Sequence, residues 1–270
     1  MVPTLFLYRG SPRSGDLMKI FKCDVCRHIL YFKNSQCLSC KSELGFLPDA
    51  RVMSSLEHQN NSIWKALAPK ANGRLYKKCK NYSEEDVCNW MLLAEDSKEL
   101  CFSCDLNKMI PDLSNKRNKF YWYRLEKAKR HLLYSLMELG LPIVSRKEDP
   151  DRGLAFQFLE DEHIHFKETK KIMTGHANGI ITINIAEADD ALRAKMRLKM
   201  KEEYRTILGH FRHEIGHYYW TRLVENTNFY ETFRVLFGDE KANYTQALKC
   251  YYASGAPADW QEHYVSAYCS

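Results

Sequence analysis

The sequence predicts an α+β protein whose first half is organised by cysteines and whose second half combines a small sheet with helices. Eight cysteines fall in two groups of four within residues 23–104, residues 180–185 have strand character, and helical periodicity covers 115–140 and 206–220. The 45% hydrophobic and 27% charged content indicates a soluble chain with a substantial core. No apolar run approaches the roughly 20 residues that cross a bilayer, so no membrane association is expected.

The chain is predicted to contain an extension and three folded parts. The extension covers residues 1–18, the first cysteine module 19–49, the second cysteine module 50–114, and the sheet-and-helix domain 115–270. The first residues contain a short apolar stretch but neither a charged region nor a small-residue cleavage site, which makes a signal peptide improbable. A cytoplasmic location is therefore expected, and in that reducing environment cysteines bind metals more often than they form disulfides.

The first cysteine group consists of two C-x-x-C pairs, Cys23 with Cys26 and Cys37 with Cys40. Each pair directs two thiolates towards one point from a tight turn, and two pairs complete a tetrahedral Zn²⁺ site. Because so short a segment has little core of its own, the metal would supply most of its folding energy. The spacing predicts a structural zinc ribbon, and a redox-active C-x-x-C is the alternative.

The second group contains Cys79, Cys88, Cys101 and Cys104, and only its last pair has the two-residue spacing. We predict a second structural Zn²⁺ held by these four thiolates, with buried free thiols as the alternative. Between the two groups, residues 63–67 are predicted to form a short amphipathic piece that is interrupted at Pro69 and Gly73.

A long amphipathic helix is predicted over residues 115–140, ended by Gly140 and Pro142. Apolar residues recur in it at steps of three and four: Tyr121, Leu125, Ala128, Leu132, Leu136 and Leu139. The basic runs at 116–119, 127–130 and 193–201 are predicted to form solvated helix faces, and nucleic-acid binding is the alternative. The overall charge of +6 fits both interpretations.

Strand-like segments follow the helix at 154–159, 164–166 and 180–185, with a turn-rich stretch at 174–179 before the last. Asp189 or Asp190 can cap the next helix, which continues, with or without a break, towards residue 206. A sheet with an exposed edge strand could pair with an extended peptide.

The segment 206–220 contains the pattern H-E-x-x-H in His213, Glu214 and His217. Helical residues four apart lie on one face, so the two imidazoles can share one tetrahedral Zn²⁺. Glu214 lies about 100° further around the axis and can act as general base towards a water at the metal. The alternative is a chance pattern of solvated or hydrogen-bonded side chains.

Two stripes are predicted along this helix. Leu208, Phe211, Ile215 and Tyr218 or Tyr219 recur at core spacing. A polar stripe beside them consists of His210, Glu214, His217 and Thr221, and His213 lies next to it.

Several separate blocks together resemble a bacterial family of zinc-binding metallopeptidases that carry an N-terminal zinc ribbon. The blocks are the ribbon with residues 44–49, residues 88–104 with 110–113, 175–184 with 186–189, 204–220, 237–240, and 259–268. The resemblance covers about residues 19–268 and implies a soluble, gluzincin-like peptidase with a zincin-like domain.

The resemblance also implies a third, glutamate ligand from a helix that follows residues 266–268 in the family. This chain ends at Ser270, so we expect a peptidase domain truncated at its C-terminus. Candidates for the third ligand within the chain are Asp239, Glu240, Glu262 and His263, and none has a distinguishing spacing.

These observations predict hydrolysis of a peptide or protein substrate, with three Zn²⁺ ions, two structural and one catalytic. Glu214 takes a proton from water and passes it to the leaving amine. Tyr252 or His176 could stabilise the oxyanion, although nothing in the sequence selects either. The alternative function is a zinc-ribbon module that binds nucleic acid or protein and carries an inactive peptidase-like domain.

Overall fold

The computed structural model divides the chain into two compact units, residues 1–212 and 213–270, with the boundary inside one helix. It describes residues 20–165, 168–199, 205–255, 258–259 and 262. The predicted extension, residues 1–18, lies outside the described residues. Among the helices of the described part, none has both the length and the apolar character needed to cross a membrane.

The described chain begins with a small antiparallel hairpin that carries Cys23 and Cys26, the first pair of the first cysteine group. Its strands are β1 (Phe21–Lys22) and β2 (Ile29–Leu30). Arg27 lies in the turn with φ of 64°, a left-handed conformation in which the chain turns tightly after the first C-x-x-C.

A five-stranded antiparallel sheet follows, with its strands paired in chain order. They are β3 (Glu43–Leu47), β4 (Val52–Asn60), β5 (Ile63–Ala66), β6 (Leu75–Lys78) and β7 (Met91–Leu93). A 3-10 turn, Pro69–Ala71, precedes β6, and the short helices α1 (Lys80–Ser83) and α2 (Phe102–Asp105) flank β7. Residues 63–66, predicted as part of a short amphipathic piece, form the central strand of this sheet. Cross-strand pairing with β4 and β6 fixes the extended conformation there.

The hairpin and the residues that follow it are held against this sheet and its neighbouring segments by polar contacts. Ser55 in β4 donates its N–H to Asp24 Oδ2 at 2.6 Å, and the Ser55 hydroxyl accepts from Asp24 N at 3.1 Å. Asn89 Nδ2 donates to the Phe32 carbonyl at 2.7 Å, and the Tyr82 hydroxyl is bonded to two carbonyl oxygens of the same region. The first cysteine group is therefore part of a larger folded assembly with the sheet.

The predicted long helix is confirmed as α3 (Lys116–Glu138). Asn115 caps its start by accepting from Arg117 N at 3.1 Å, and Gly140 ends it with φ of 68°. Leu125, Leu132 and Leu136 are buried as predicted. Leu139 is 71% exposed, contrary to prediction, because it follows the last helical residue and leaves the apolar stripe.

The basic run at 127–130 is not a solvated face, contrary to prediction. Lys129 and Arg130 are 0% and 2% exposed, so neither can contact the phosphates of a nucleic acid. Lys116 and Arg117 are exposed, so these two residues of the first basic run remain available to such a partner.

A four-stranded mixed sheet lies next in the fold, in the order β12-β13-β9-β8. Its strands are β8 (Asn107–Met109), β9 (Ala155–Leu159), β12 (Gly175–Ala177) and β13 (Ile180–Asn184), and a separate pair is formed by β10 (Glu162–His165) and β11 (Glu168–Lys170). β9 runs parallel to both β8 and β13. Ile181, Ile183 and Phe156 are fully buried, so this sheet forms the core of the second half of unit 1.

The stretch 174–179, predicted as turn-rich, contains strand β12. The turn itself is limited to Asn178 and Gly179, with φ of 47° and 83°, which is the two-residue hairpin connection favoured by an Asn-Gly pair. A Cβ at Gly179 would lie 2.3 Å from the Gly153 carbonyl oxygen, so both the backbone angle and the space require glycine.

Helices complete the described chain. After a 3-10 turn at Ile185–Ala188 come α4 (Asp190–Lys199), α5 (Ile207–Leu223), α6 (Tyr230–Phe237) and α7 (Tyr244–Ser254). The predicted cap of α4 is confirmed, since Asp189 Oδ1 accepts from Ala191 N at 2.9 Å. Most of the last predicted helical piece, after residue 255, lies outside the described residues. The α+β class predicted from the sequence is confirmed.

Candidate metal centres

The first tetrad, Cys23, Cys26, Cys37 and Cys40, has all four Sγ atoms within 4.8 Å of one another. The Cys23–Cys40 and Cys26–Cys37 Sγ pairs are each 3.6 Å apart. Two thiolates bound to a tetrahedral Zn²⁺ at about 2.3 Å lie about 3.8 Å apart. The arrangement therefore fits a closed tetrahedral metal site.

Two serine hydroxyls support the first tetrad. Ser55 Oγ lies 3.3 Å from Cys23 Sγ, and Ser42 Oγ lies 3.1 Å from Cys40 Sγ. The hydrogen bond with Ser42 lowers the pKa of the Cys40 thiol to about 6, which favours the thiolate that a metal requires.

The second tetrad, Cys79, Cys88, Cys101 and Cys104, also has its four Sγ atoms within 4.8 Å of one another. Its members are 0–4% exposed, and the Cys88–Cys101 Sγ distance is 3.7 Å. Burial raises the pKa of the Cys101 thiol well above its ordinary value, so a metal at this site must displace a tightly held proton.

The fold explains why cysteines with such wide spacing converge. Cys79 lies immediately before α1, Cys101 immediately before α2, and Cys104 within α2. The backbone N–H of Cys101 donates to Cys79 Sγ, and that of Trp90 to Cys88 Sγ, each at 3.4 Å. The described cysteines all have free thiols, so disulfides do not hold either tetrad.

A third constellation lies on α5, where His213 and His217 approach each other at their Nε2 atoms. The two atoms are 3.1 Å apart, and the rings meet edge to face at 4.8 Å between centroids. Two imidazole nitrogens bound to a tetrahedral Zn²⁺ at about 2.0–2.1 Å lie about 3.3 Å apart. The pair therefore fits two ligands of one ion, and both side chains are exposed.

The apolar stripe of α5 agrees with the prediction at Phe211, Ile215 and Tyr218, which are 0%, 5% and 1% exposed. Glu214 differs, because it was placed in the polar stripe and is only 8% exposed. It follows Phe211 by three positions and precedes Tyr218 by four, so it lies at the border of the apolar stripe. A carboxylate there is shielded from bulk water beside two accessible imidazoles.

No third histidine, cysteine, aspartate or glutamate joins this pair among the residues that the structure describes. Asp239 accepts from Lys241 N at 2.9 Å, and Glu240 accepts from Arg234 Nη2 at 2.9 Å and from the Tyr230 hydroxyl. Both carboxylates therefore serve the local structure that follows α6. Glu262 does not join the pair either, and His263 lies outside the described residues.

Glu240 provides a prediction about pH. Hydrogen bonds from Arg234 and Tyr230 lower the pKa of this carboxyl from 4.5 to about 2. Its stabilising contribution is thus complete above pH 4.5 and is lost as the pH falls towards 2. Glu240→Gln is expected to reduce the loss in thermal denaturation midpoint between pH 5 and pH 3. Glu231→Gln, which alters an 84% exposed side chain on the neighbouring helix α6, is the control and should follow the wild type.

The two candidates for stabilising an oxyanion have different surroundings. His176 Nε2 accepts from Gly179 N at 3.1 Å, so this nitrogen is an acceptor within the β12–β13 turn and cannot donate to an oxyanion in that state. Tyr252 lies on α7 and is 44% exposed.

Sequence reasoning missed the groups that surround the tetrads. Ser55 is an unremarkable strand residue in the sequence, and Arg130 belongs to a basic run of ordinary appearance. Arg130 nevertheless donates to the carbonyl of Val87 at 2.7 Å, directly before Cys88. Only the tertiary fold brings these polar groups to the cysteines.

Comparison with known proteins agrees with this geometry. Residues 20–115 match a zinc-ribbon domain, and residues 118–270 match the family described as "Putative zinc-binding metallo-peptidase". The chain is 42% identical over 254 residues to uncharacterized proteins from Mycobacterium bovis and from two strains of Mycobacterium tuberculosis. The aligned region covers 94% of this chain and 68% of each relative. No solved structure matches the chain.

The resemblance predicted from the sequence blocks is thus confirmed at the level of the family. Zinc binding is a property of that family, and the two cysteine tetrads supply ligands suited to it. This chain belongs to the zinc-binding metallo-peptidase family and carries a zinc-ribbon domain before the peptidase domain.

Proposed function

We propose that the protein is a zinc-dependent peptidase whose catalytic metal is held by His213 and His217 and whose general base is Glu214. The observation that carries this proposal is the 3.1 Å approach of the two Nε2 atoms, with the buried Glu214 carboxylate on the same helix. A hydrogen bond between the two rings gives the same separation, so the metal counts described below decide between that contact and a shared Zn²⁺.

The two tetrads are proposed to hold structural zinc rather than catalytic zinc. Four thiolates leave no open coordination position for water or substrate, whereas a histidine pair with one further ligand does. The catalytic function is therefore assigned to α5 and the cysteine modules are assigned to folding.

In the proposed reaction, the chain's own residues orient the groups and move one proton. Zinc, when bound, supplies Lewis acidity that acidifies water and polarises a carbonyl. Glu214 accepts a proton from the attacking water as the new C–O bond forms, and then donates it to the departing amine as the C–N bond breaks. The low exposure of Glu214 limits competition from bulk solvent for this proton.

A peptide substrate is supported by the arrangement of the four-stranded sheet in unit 1. β12 is one of the two terminal strands of that sheet in the part of the chain that the structure describes, and β8 is the other. A terminal strand offers main-chain groups to an extended peptide, which pairs with it through backbone hydrogen bonds. Backbone recognition of this kind favours peptide or protein substrates of varied sequence.

Metal counting tests the proposal without knowledge of the substrate. Two tetrads and one histidine pair predict about three Zn²⁺ ions per chain, and the double variant His213→Ala, His217→Ala should retain about two. His58→Ala, which removes an exposed histidine in β4, should retain all of them. If the wild type instead holds about two Zn²⁺ ions per chain, and the double variant holds the same number, the result would favour a zinc-ribbon module with an inactive peptidase-like domain.

A further inference from the structure

Three ionisable side chains of α3 are buried together beside the second tetrad. Glu126 and Lys129 are 0% exposed, and Arg130 is 2% exposed. Lys129 Nζ donates to Glu126 Oε1 at 2.9 Å and also to Asn107 Oδ1. Glu126 Oε1 further accepts from Trp122 Nε1 at 3.2 Å. Buried ions of this kind are costly unless their charges are balanced.

The charges within this buried cluster do not balance. Lys129 and Arg130 carry two positive charges, while Glu126 carries one negative charge, which leaves a net charge of +1. Lys129 is the closer partner of the Glu126 carboxylate, at 2.9 Å. The distance from Arg130 Nη1 to Glu126 Oε2 is 3.8 Å, which is longer than a hydrogen bond. Glu126 Oε2 has no hydrogen-bond partner. The guanidinium therefore retains charge that its own helix does not neutralise.

The second tetrad lies close to Arg130, where negative charge would compensate the surplus positive charge. Arg130 Nη1 donates to the carbonyl of Val87 at 2.7 Å, one residue before the ligand candidate Cys88. Four thiolates around Zn²⁺ carry a net charge of −2, whereas four thiols carry none. The −2 charge of the metal-bound tetrad offsets the surplus positive charge of the buried cluster, whereas four uncharged thiols cannot.

We propose that Arg130 is the charge-compensating residue of the second tetrad, so that α3 strengthens zinc binding there. This inference rests on the proposed structural zinc at the second tetrad and is independent of peptidase activity. Arg130 lies in the region that matches the peptidase family, and the four cysteines lie in the region that matches the zinc ribbon. Arg130 of the peptidase region would thus balance the charge of a metal site in the zinc-ribbon region.

The test compares Arg130→Met with Arg130→Lys and with Arg117→Met, an exposed position on the same helix. Zinc retained by the full chain is measured against a competing chelator. Loss of an outer-shell partner typically weakens metal binding by roughly 10- to 100-fold, and we expect that loss for one zinc equivalent in Arg130→Met. Arg130→Lys should recover most of the affinity, and Arg117→Met should match the wild type.

A double variant separates charge compensation from packing. Cys88→His would change the charge of the metal-bound tetrad from −2 to −1, so it should weaken zinc binding less in the Arg130→Met background than in the wild type. Additive losses, or an Arg130→Lys variant as weak as Arg130→Met, would overturn the inference. If Arg130→Met does not fold, Arg130→Lys is compared with the wild type alone: zinc affinity close to that of the wild type supports the inference, and a loss of about 10-fold or more would overturn it.

Cys101→Ser distinguishes failure of the inference from failure of the underlying site. If Cys101→Ser has the same zinc content as the wild type, both the second zinc site and the role of Arg130 are overturned. If the zinc content falls in Cys101→Ser while Arg130→Met binds zinc with wild-type affinity, only the role of Arg130 is overturned.

Discussion

Replacement of Glu214 by glutamine is expected to abolish peptide hydrolysis while the zinc content stays unchanged. Glutamine keeps the size of the side chain, and the proposed metal ligands on α5 are the two histidines. It cannot accept the proton, however, and general acid–base catalysis typically contributes about 10²- to 10⁴-fold to the rate. The measurement is mass spectrometry of new amine termini in a diverse peptide mixture, with metal analysis of the same samples.

Glu231→Gln is the matched control, since it makes the same chemical change at an 84% exposed carboxylate. It should cleave peptides at the wild-type rate. Hydrolysis by Glu214→Gln at the wild-type rate would exclude this carboxylate as the base. Loss of both zinc and hydrolysis would show instead that Glu214 helps to hold the metal site.

Cys101→Ser is expected to have the largest effect on stability. It removes a ligand from a fully buried tetrad, and binding of a structural zinc supplies on the order of 10 kcal/mol of folding free energy, comparable with the whole stability of a domain. We expect the loss of one zinc ion per chain and of hydrogen-exchange protection in α2 and α3. Amide exchange followed by peptide-resolved mass spectrometry measures both regions at once.

Cys26→Ser provides the comparison, because Cys26 is an exposed member of the first tetrad. It should also remove one zinc ion, but the loss of protection should centre on β1 and β2 and leave α3 protected. Equal loss of α3 protection in the two variants would contradict the assignment of the second tetrad to the core.

Local chemistry made the first tetrad and the helix α5 predictable from the sequence. Two C-x-x-C pairs determine their own geometry, because each tight turn brings its two thiolates together. The pattern H-E-x-x-H is equally local, since one helical turn separates His213 from His217. Such features need no knowledge of the rest of the fold.

The five-stranded sheet could not be recognised because its strands lack the alternation that identifies a half-buried strand. In β3 the residues from Leu44 to Leu47 are all buried, and β4 is buried over its first half and exposed over its second. Burial on both faces produces a continuous apolar run, and a change of environment within one strand disrupts the period of two.

The burial of the charged residues of α3 could not be predicted from the sequence for a different reason. In a sequence, Lys129 and Arg130 are indistinguishable from lysines and arginines on a solvated helix face. Their partners Asn107 and Val87 lie more than 20 positions away, and no local rule predicts such a distant pairing. The candidate metal ligands were therefore identified, while the residues that balance their charge required the tertiary structure.

The Ser55 contacts affect how the cysteine modules can be separated. The Ser55 hydroxyl contacts Cys23 Sγ and accepts from Asp24 N, and the Ser55 N–H donates to the Asp24 carboxylate. A fragment that begins at β3 would leave this hydroxyl and this N–H without those partners. The ribbon and the five-stranded sheet should consequently be exchanged between relatives, or expressed in the laboratory, as one piece. A chimaera joined between them would lose these hydrogen bonds at the junction.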